Sequence, residues 1–178
     1  MENYEESFGE SESMGKTRGG MAYTRREYVH SVPQSKVTRY TLGGSTGKYE
    51  FAVSLVASND AEISSNALEA ARVTTNKAMT SVLNEGSFEL KVVAYPHEIV
   101  REHKMMAFAG ADRLSQGMSR AFGRPTGRAA RVRTGQRILT VLVNKNGVDV
   151  ARKAFERSSK KLPVKHNVVV EQLGLETQ

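Results

Sequence analysis

An α+β fold, with two helices packed on a mostly antiparallel or mixed sheet and a long basic internal loop, is what three features of this 178-residue sequence predict. Residues 87–95 alternate apolar and polar side chains, the period of a half-buried strand. Two longer stretches repeat apolar residues at three- and four-residue steps, the period of a helix with one packed face. Between strands, residues 104–127 hold five Gly or Pro and no periodicity, the mark of an irregular loop that serves a function or is ordered by a partner.

In chain order, residues 1–20 are rich in Glu, Ser and Gly and poor in apolar side chains, so a mobile acidic tail is expected there and a single domain over 21–178. Residues 23–28 set two Arg and a Glu among aromatics and read as a short turn lying on a partner; Pro33 stops any helix. Residues 36–42 and 49–57 are β-branched and aromatic and flank the Gly-Gly-Ser-Thr-Gly cluster at 43–47. They predict a β-hairpin, with Phe51, Val53 and Leu55 on one face of its second strand. Asn59 followed by Glu62 has the spacing of a capping box, which predicts a long helix ended by Gly86. Ile63, Ala67, Ala70, Ala71, Thr74, Ala78 and Val82 then form a narrow stripe of small residues that lets this helix lie close on the sheet. In the strand at 87–95, Phe88, Leu90, Val92 and Ala94 face inward and Glu89, Lys91 and Tyr95 outward, before Pro96 breaks it. Two strands at 128–132 and 137–144 follow the loop. A helix over 148–161 carries Val148 and Ala151 with Phe155 and Leu162 on one face. Lys160 and Lys161 suit its C-terminal dipole, and Pro163 lies just beyond. Residues 164–173 read as a final strand.

Charge narrows the function. The formal net charge is +7, and the first 13 residues hold five Glu with no Lys or Arg, so the remainder carries +12. Residues 101–137 alone contain nine Arg or Lys (eight of them Arg) against Glu102 and Asp112, a surplus of seven. Such density repels itself and is best neutralised by a polyanion. Arginine's planar fork suits phosphates and bases, which favours structured RNA over a membrane surface, and the segment lacks amphipathic helical spacing. No Cys is present, which excludes disulfides, thiolate catalysis and cysteine-ligated metals. The central apolar run at 138–143 is far short of the ~20 residues that span a bilayer. The acidic N-terminus is unlike a secretory signal, so a cytoplasmic protein without a membrane partner is expected.

Catalytic and metal-binding patterns are weak. The run Gly43-Gly-Ser-Thr-Gly-Lys48 lacks the phosphate-loop Gly at Leu42 and the Ser or Thr at Tyr49, and it precedes a strand. His97 and His103 have no helical metal-ligand spacing with each other or with His30 and His166, so His97 reads as a structural or RNA-stacking side chain. Glu98, Glu102 and Asp112 lie among Arg residues and form no spaced carboxylate motif, so ion pairing is expected and a magnesium nuclease is not. No enzyme and no cofactor is predicted. Met105, Met106 and Phe108 sit in the polar loop, either packed beneath it or presented to nucleotides or a partner.

Several blocks resemble a known family. Tyr23-Thr-Arg-Arg-Glu-Tyr28, Asn66-Ala-Leu-Glu-Ala-Ala-Arg72 with Asn76-Lys77, Tyr95-Pro-His-Glu-Ile-Val-Arg-Glu-His-Lys104, Ala109-Gly-Ala-Asp-Arg113, Gly117-Met118 and Ala121-Phe-Gly-Arg-Pro-Thr-Gly-Arg-Ala-Ala-Arg131 occur in that family's order. It is the large-subunit ribosomal protein numbered ten in archaea and eukaryotes, the counterpart of bacterial large-subunit ribosomal protein sixteen. The resemblance implies an α/β-hammerhead fold lodged in large-subunit rRNA, near the 5S rRNA and the aminoacyl-tRNA site, among other large-subunit proteins. It implies an internal loop, about 104–118 here, directed toward the peptidyl-transferase centre and the tRNA acceptor arm. Arg25, Arg26, Arg101, Lys104, Arg120, Arg124, Arg128 and Arg131 are then the expected rRNA contacts. Met105, Met106, Phe108, Asp112 and Arg113 are the expected loop residues near tRNA. The acidic tail and the loop sequence His103-Lys-Met-Met-Ala-Phe108 keep open an alternative, a ribosome-associated or RNA-maturation paralogue of the same fold.

Overall fold

A computed structural model describes residues 26–44, 49–102 and 123–173. A 3-10 turn at Arg26–Tyr28 leads through an extended segment to β1 (Thr41–Gly43), β2 (Phe51–Ala57), β3 (Ala61–Ser64) and α1 (Ser65–Thr80). Then come β4 (Phe88–Val92), β5 (Glu98–Glu102), β6 (Arg124–Val132), β7 (Arg137–Val143), α2 (Val148–Ser159) and β8 (His166–Gln172). The described strands form two sheets, one ordered β1-β4-β7-β2-β8 and one ordered β3-β6-β5, and every pairing is antiparallel. The α+β class, the antiparallel pairing and, among the described residues, the two helices match expectation; the strands divide into two sheets. No helix among the described residues is long and apolar enough to cross a membrane.

The five-stranded sheet owes its inner face to alternation. Val53 and Leu55 of β2, Leu90 of β4 and Val141 of β7 share that face through their registers and are fully buried. Phe88, Phe155, Leu68 and Met79 complete one core with them. On the opposite face the Ser54 and Thr140 hydroxyls, partners across β2 and β7, bond each other at 3.1 Å. A buried polar pair of this kind persists because each oxygen satisfies the other.

Three expectations are corrected here. First, 36–42 and 49–57 do not form a hairpin: β1 pairs with β4, and β2 lies between β7 and β8. Gly43 does not close a tight turn. It has φ +98°, and a Cβ there would lie 2.1 Å from the Phe88 carbonyl oxygen, so only glycine lets β1 end against β4.

Second, Asn59 and Glu62 do not cap a helix. Residues 61–64 are strand, and the cap is Ser64, whose Oγ accepts the Ala67 N–H at 3.3 Å. The helix stops at Thr80, before Gly86. Its buried face is Leu68, Ala71, Arg72, Thr75 and Met79, rotated from the expected stripe, because α1 packs chiefly on α2. Arg72 tolerates that burial by pairing with Glu69, its Nε donating to Oε2 at 2.9 Å. The same pair holds the Glu69 carboxyl below its ordinary range and raises the Arg72 guanidinium. Thr75 satisfies its hydroxyl on the Ala71 carbonyl at 2.9 Å.

Third, β6 starts at Arg124, inside the loop expected over 104–127 and ahead of the strand expected at 128–132, and β5 at Glu98–Glu102 occupies a stretch where no strand was expected. Residues 103–122, most of the predicted loop, lie outside the described residues, as does the predicted tail at 1–20.

Candidate nucleic-acid interface

Four of the six described arginines of the basic segment lie on the three-stranded sheet. β6 is its middle strand and carries Arg124, Arg128 and Arg131; Arg101 sits on β5 beside it. Cross-strand registers set Arg124 opposite Glu102, Arg128 opposite Ile99 and Arg131 opposite Glu62. Partners across an antiparallel pair share a face and successive residues point to opposite faces, so Arg131 lies with Glu62 and Arg124 with Glu102, whereas Arg128, opposite buried Ile99 and three residues before Arg131, lies on the other face. Four arginines on these strands meet three glutamates. The surplus so evident along the sequence is therefore small on the sheet itself.

Local geometry explains how the strands accommodate this. A register shift at Val100 and Arg101 skips Thr126, whose hydroxyl donates to the Val100 carbonyl at 3.2 Å. Such a bulge re-aims the side chains that follow it. Inward, Ile63, Ala130 and Val132 anchor the sheet in the common core. Outward, the Arg131 Nη1 lies 4.0 Å from Glu98 Oε1.

Two arginines act on the protein itself. Arg101 donates from Nη1 to the Gly123 carbonyl at 3.1 Å and from Nη2 to the Tyr28 carbonyl at 3.0 Å. Arg128 donates from Nε to the Pro33 carbonyl at 2.8 Å. Together they fasten the segment 28–33, which forms no strand, to the edge of the sheet. Arg124 is exposed and makes no hydrogen bond or ion pair among the described residues. Arg133, just past β6, is exposed as well, whereas Arg137 pairs with Glu171 at 2.6 Å.

The two crossings between the sheets lie side by side. β2 passes into β3 through 58–60, and β6 returns into β7 through 133–136. Ala57 N–H donates to the Gln136 carbonyl at 2.9 Å, and Gly135 N–H to the Ala57 carbonyl at 2.8 Å. Asp60 Oδ1 accepts the Thr134 N–H at 2.7 Å and its hydroxyl at 2.8 Å. These bonds hold the Asp60 carboxyl below its ordinary range, the backbone donor contributing most.

No group of three or more His, Asp or Glu among the described residues is placed to hold a metal. Residues 19–169 match the family model described as ribosomal protein L16p/L10e. The chain belongs to this family. Relatives called large ribosomal subunit protein uL16 agree. The one from Metallosphaera sedula is 49% identical over 153 residues, 85% of this chain and 87% of its own. Those from Hyperthermus butylicus and Staphylothermus marinus are 43% and 46% identical over 155 and 154 residues, covering 87% and 86% of this chain and 86% and 88% of theirs. The L16p/L10e family is one of ribosomal proteins and not of enzymes.

Of the residues the sequence singles out in this L16p/L10e member, Arg101, Arg124, Arg128 and Arg131 come together on adjacent strands. Arg26 opens the turn Arg26–Tyr28, on the segment that Arg101 and Arg128 hold. Arg25, Lys104, Met105, Met106, Phe108, Asp112, Arg113 and Arg120 lie outside the described residues. Sequence reasoning missed that two of the arginines bond backbone carbonyls of the same chain. It also missed that Tyr40, Tyr95 and His97 stand in contact: Tyr40 and Tyr95 stack with centroids 5.2 Å apart, and His97 leans on Tyr95 at 4.6 Å. The exposed, i+2 spacing of Tyr95 and His97 around Pro96 was the available signal.

Proposed function

We propose that this chain is a structural constituent of the large ribosomal subunit in the cytoplasm, associated with rRNA and neighbouring ribosomal proteins. The observation that carries this is family membership over residues 19–169, joined to an arginine-bearing sheet fixed on an apolar core. Within that role Arg124 and Arg131 contact rRNA phosphates, together with Arg25, Arg26, Lys104 and Arg120. Arg101 and Arg128 act chiefly by holding the N-terminal segment in place. The family resemblance extends the proposal to a seat near the 5S rRNA and the aminoacyl-tRNA site. Residues 104–118, including Met105, Met106, Phe108, Asp112 and Arg113, then reach toward the peptidyl-transferase centre and the tRNA acceptor arm.

The arginine assignment is tested by salt dependence. Each lost phosphate contact lowers the slope of log affinity against log salt by roughly 0.7 to 0.9. The double substitution Arg124→Ala, Arg131→Ala is therefore expected to flatten the slope for a large-subunit rRNA fragment by about 1.4 to 1.8. An unchanged slope removes these two residues from the interface.

A further inference from the structure

The connection between β4 and β5 carries a surface that charge does not explain. Along residues 93–97 exposure alternates: Val93, Tyr95 and His97 face solvent while Ala94 and Pro96 are buried. The ribbon is fixed before any partner arrives. Val93 and Ala94 N–H groups both donate to the Ile138 carbonyl, at 2.9 and 3.2 Å, and the His97 N–H donates to the Tyr95 carbonyl at 3.0 Å across Pro96.

At this ribbon three rings are in contact. Half-buried Tyr40 backs Tyr95 with planes inclined by 26°, and His97 leans on Tyr95 with its plane tilted by 52°. Tyr95 nevertheless stays 44% exposed and Val93 48%, so these side chains are not core. Rings already held in place give up little further freedom when a flat molecule settles on them. The adjoining charges suit an anion. Arg39, next to Tyr40, is exposed, while the acids of the flanking strands, Glu89 and Glu98, are neutralised by Lys91 at 3.2 Å and Arg131 at 4.0 Å.

We propose that Tyr95 and His97, backed by Tyr40, form a stacking platform for an unpaired nucleobase of RNA. Aromatic faces accept any base, and the phosphates on either side of it meet the positive surplus of the chain. This inference rests on the rRNA-binding reading and adds to it a contact that phosphate neutralisation cannot supply.

The test compares two probes of equal charge on the full chain: a ten-nucleotide oligoadenylate and an abasic ribose-phosphate strand of the same length. The wild-type protein is expected to prefer the oligoadenylate roughly 5- to 150-fold, the range for one base stacked on an aromatic side chain. His97→Ala, at an exposed ring, should reduce the preference, and Tyr95→Ala with His97→Ala should abolish it. Neither should change affinity for the abasic strand or its salt slope, and His97→Phe should keep the preference. Equal binding of both probes by the wild type, or an undiminished preference in the double variant, overturns the platform and leaves phosphate binding standing. Failure to bind either probe overturns the platform and the rRNA-binding reading together.

Discussion

The two sheets share one antiparallel hydrogen-bonding scheme and draw their stability from different sources. The five-stranded sheet lays a continuous apolar face under two helices, and its central strand β7 has Leu139, Val141 and Val143 fully buried. The three-stranded sheet gives the core only a few side chains and sets Arg124 beside Glu102 and Arg131 beside Glu62. Its attached segment, 28–33, is held by guanidinium groups on backbone carbonyls. Hydrocarbon burial is not screened by dissolved ions, whereas contacts among partly exposed charges weaken with ionic strength. One sheet is thus a scaffold and the other a polar surface whose Arg101 and Arg128 hold their own chain.

The largest expected effect strikes the scaffold. Phe155→Ala empties a fully buried position between α2 and the five-stranded sheet, and should cost about 3 to 5 kcal/mol of global stability in urea denaturation. A cost below about 1 kcal/mol would show that the core does not depend on this ring, and the contrast between the sheets would lose its basis.

A smaller, local effect is expected on the other side. Arg128→Ala removes the donor to the Pro33 carbonyl and should cost about 1 kcal/mol or less, since the bond is only partly buried. Amide exchange should accelerate over 28–37 and stay unchanged in β7. Equal acceleration in both regions would erase the distinction between scaffold and surface.

The smallest effect concerns the seam between them. The Asp60 carboxyl titrates below its ordinary range because of Thr134. Its contribution to stability is therefore full above the unfolded-state pKa and fades as pH falls through the lower folded-state value. Asp60→Asn should slightly lower the melting temperature at neutral pH, where the contribution is full, and converge with the wild type at low pH, so that the acid limb is flatter. A carboxyl resonance of Asp60 titrating at the ordinary position would contradict the Thr134 contact.

Much of the scaffold was legible in the sequence. The alternation of Phe88, Leu90, Val92 and Ala94 marks β4, and Ala151, Phe155 and Leu162 mark the packed side of α2, because a long apolar period survives any tertiary arrangement. β3 and β5 were not legible. They are four and five residues long, and in Ala61-Glu-Ile-Ser64 the glutamate supplied the spacing of a helix cap while the true cap, Ser64, lay two residues later. The pairing of β1 with β4 spans more than forty residues and has no local signal, so a glycine cluster looked like a hairpin turn. At the interface, arginine identity was readable and its use was not. A carbonyl acceptor such as that of Tyr28 or Pro33 is common to every residue type, and nothing in the letters tells which one an arginine will reach.

The paired crossings carry a mechanical consequence. β6 runs on into β7, and β3 is the continuation of β2; β7 and β2 are neighbours in the interior of the larger sheet, each flanked on both sides. A load placed on the arginine-bearing strands is thereby delivered to the two strands with the most lateral support, braced at the junction by Ala57, Asp60 and Thr134. The small sheet is thus rooted in interior strands of the larger one, away from its edges.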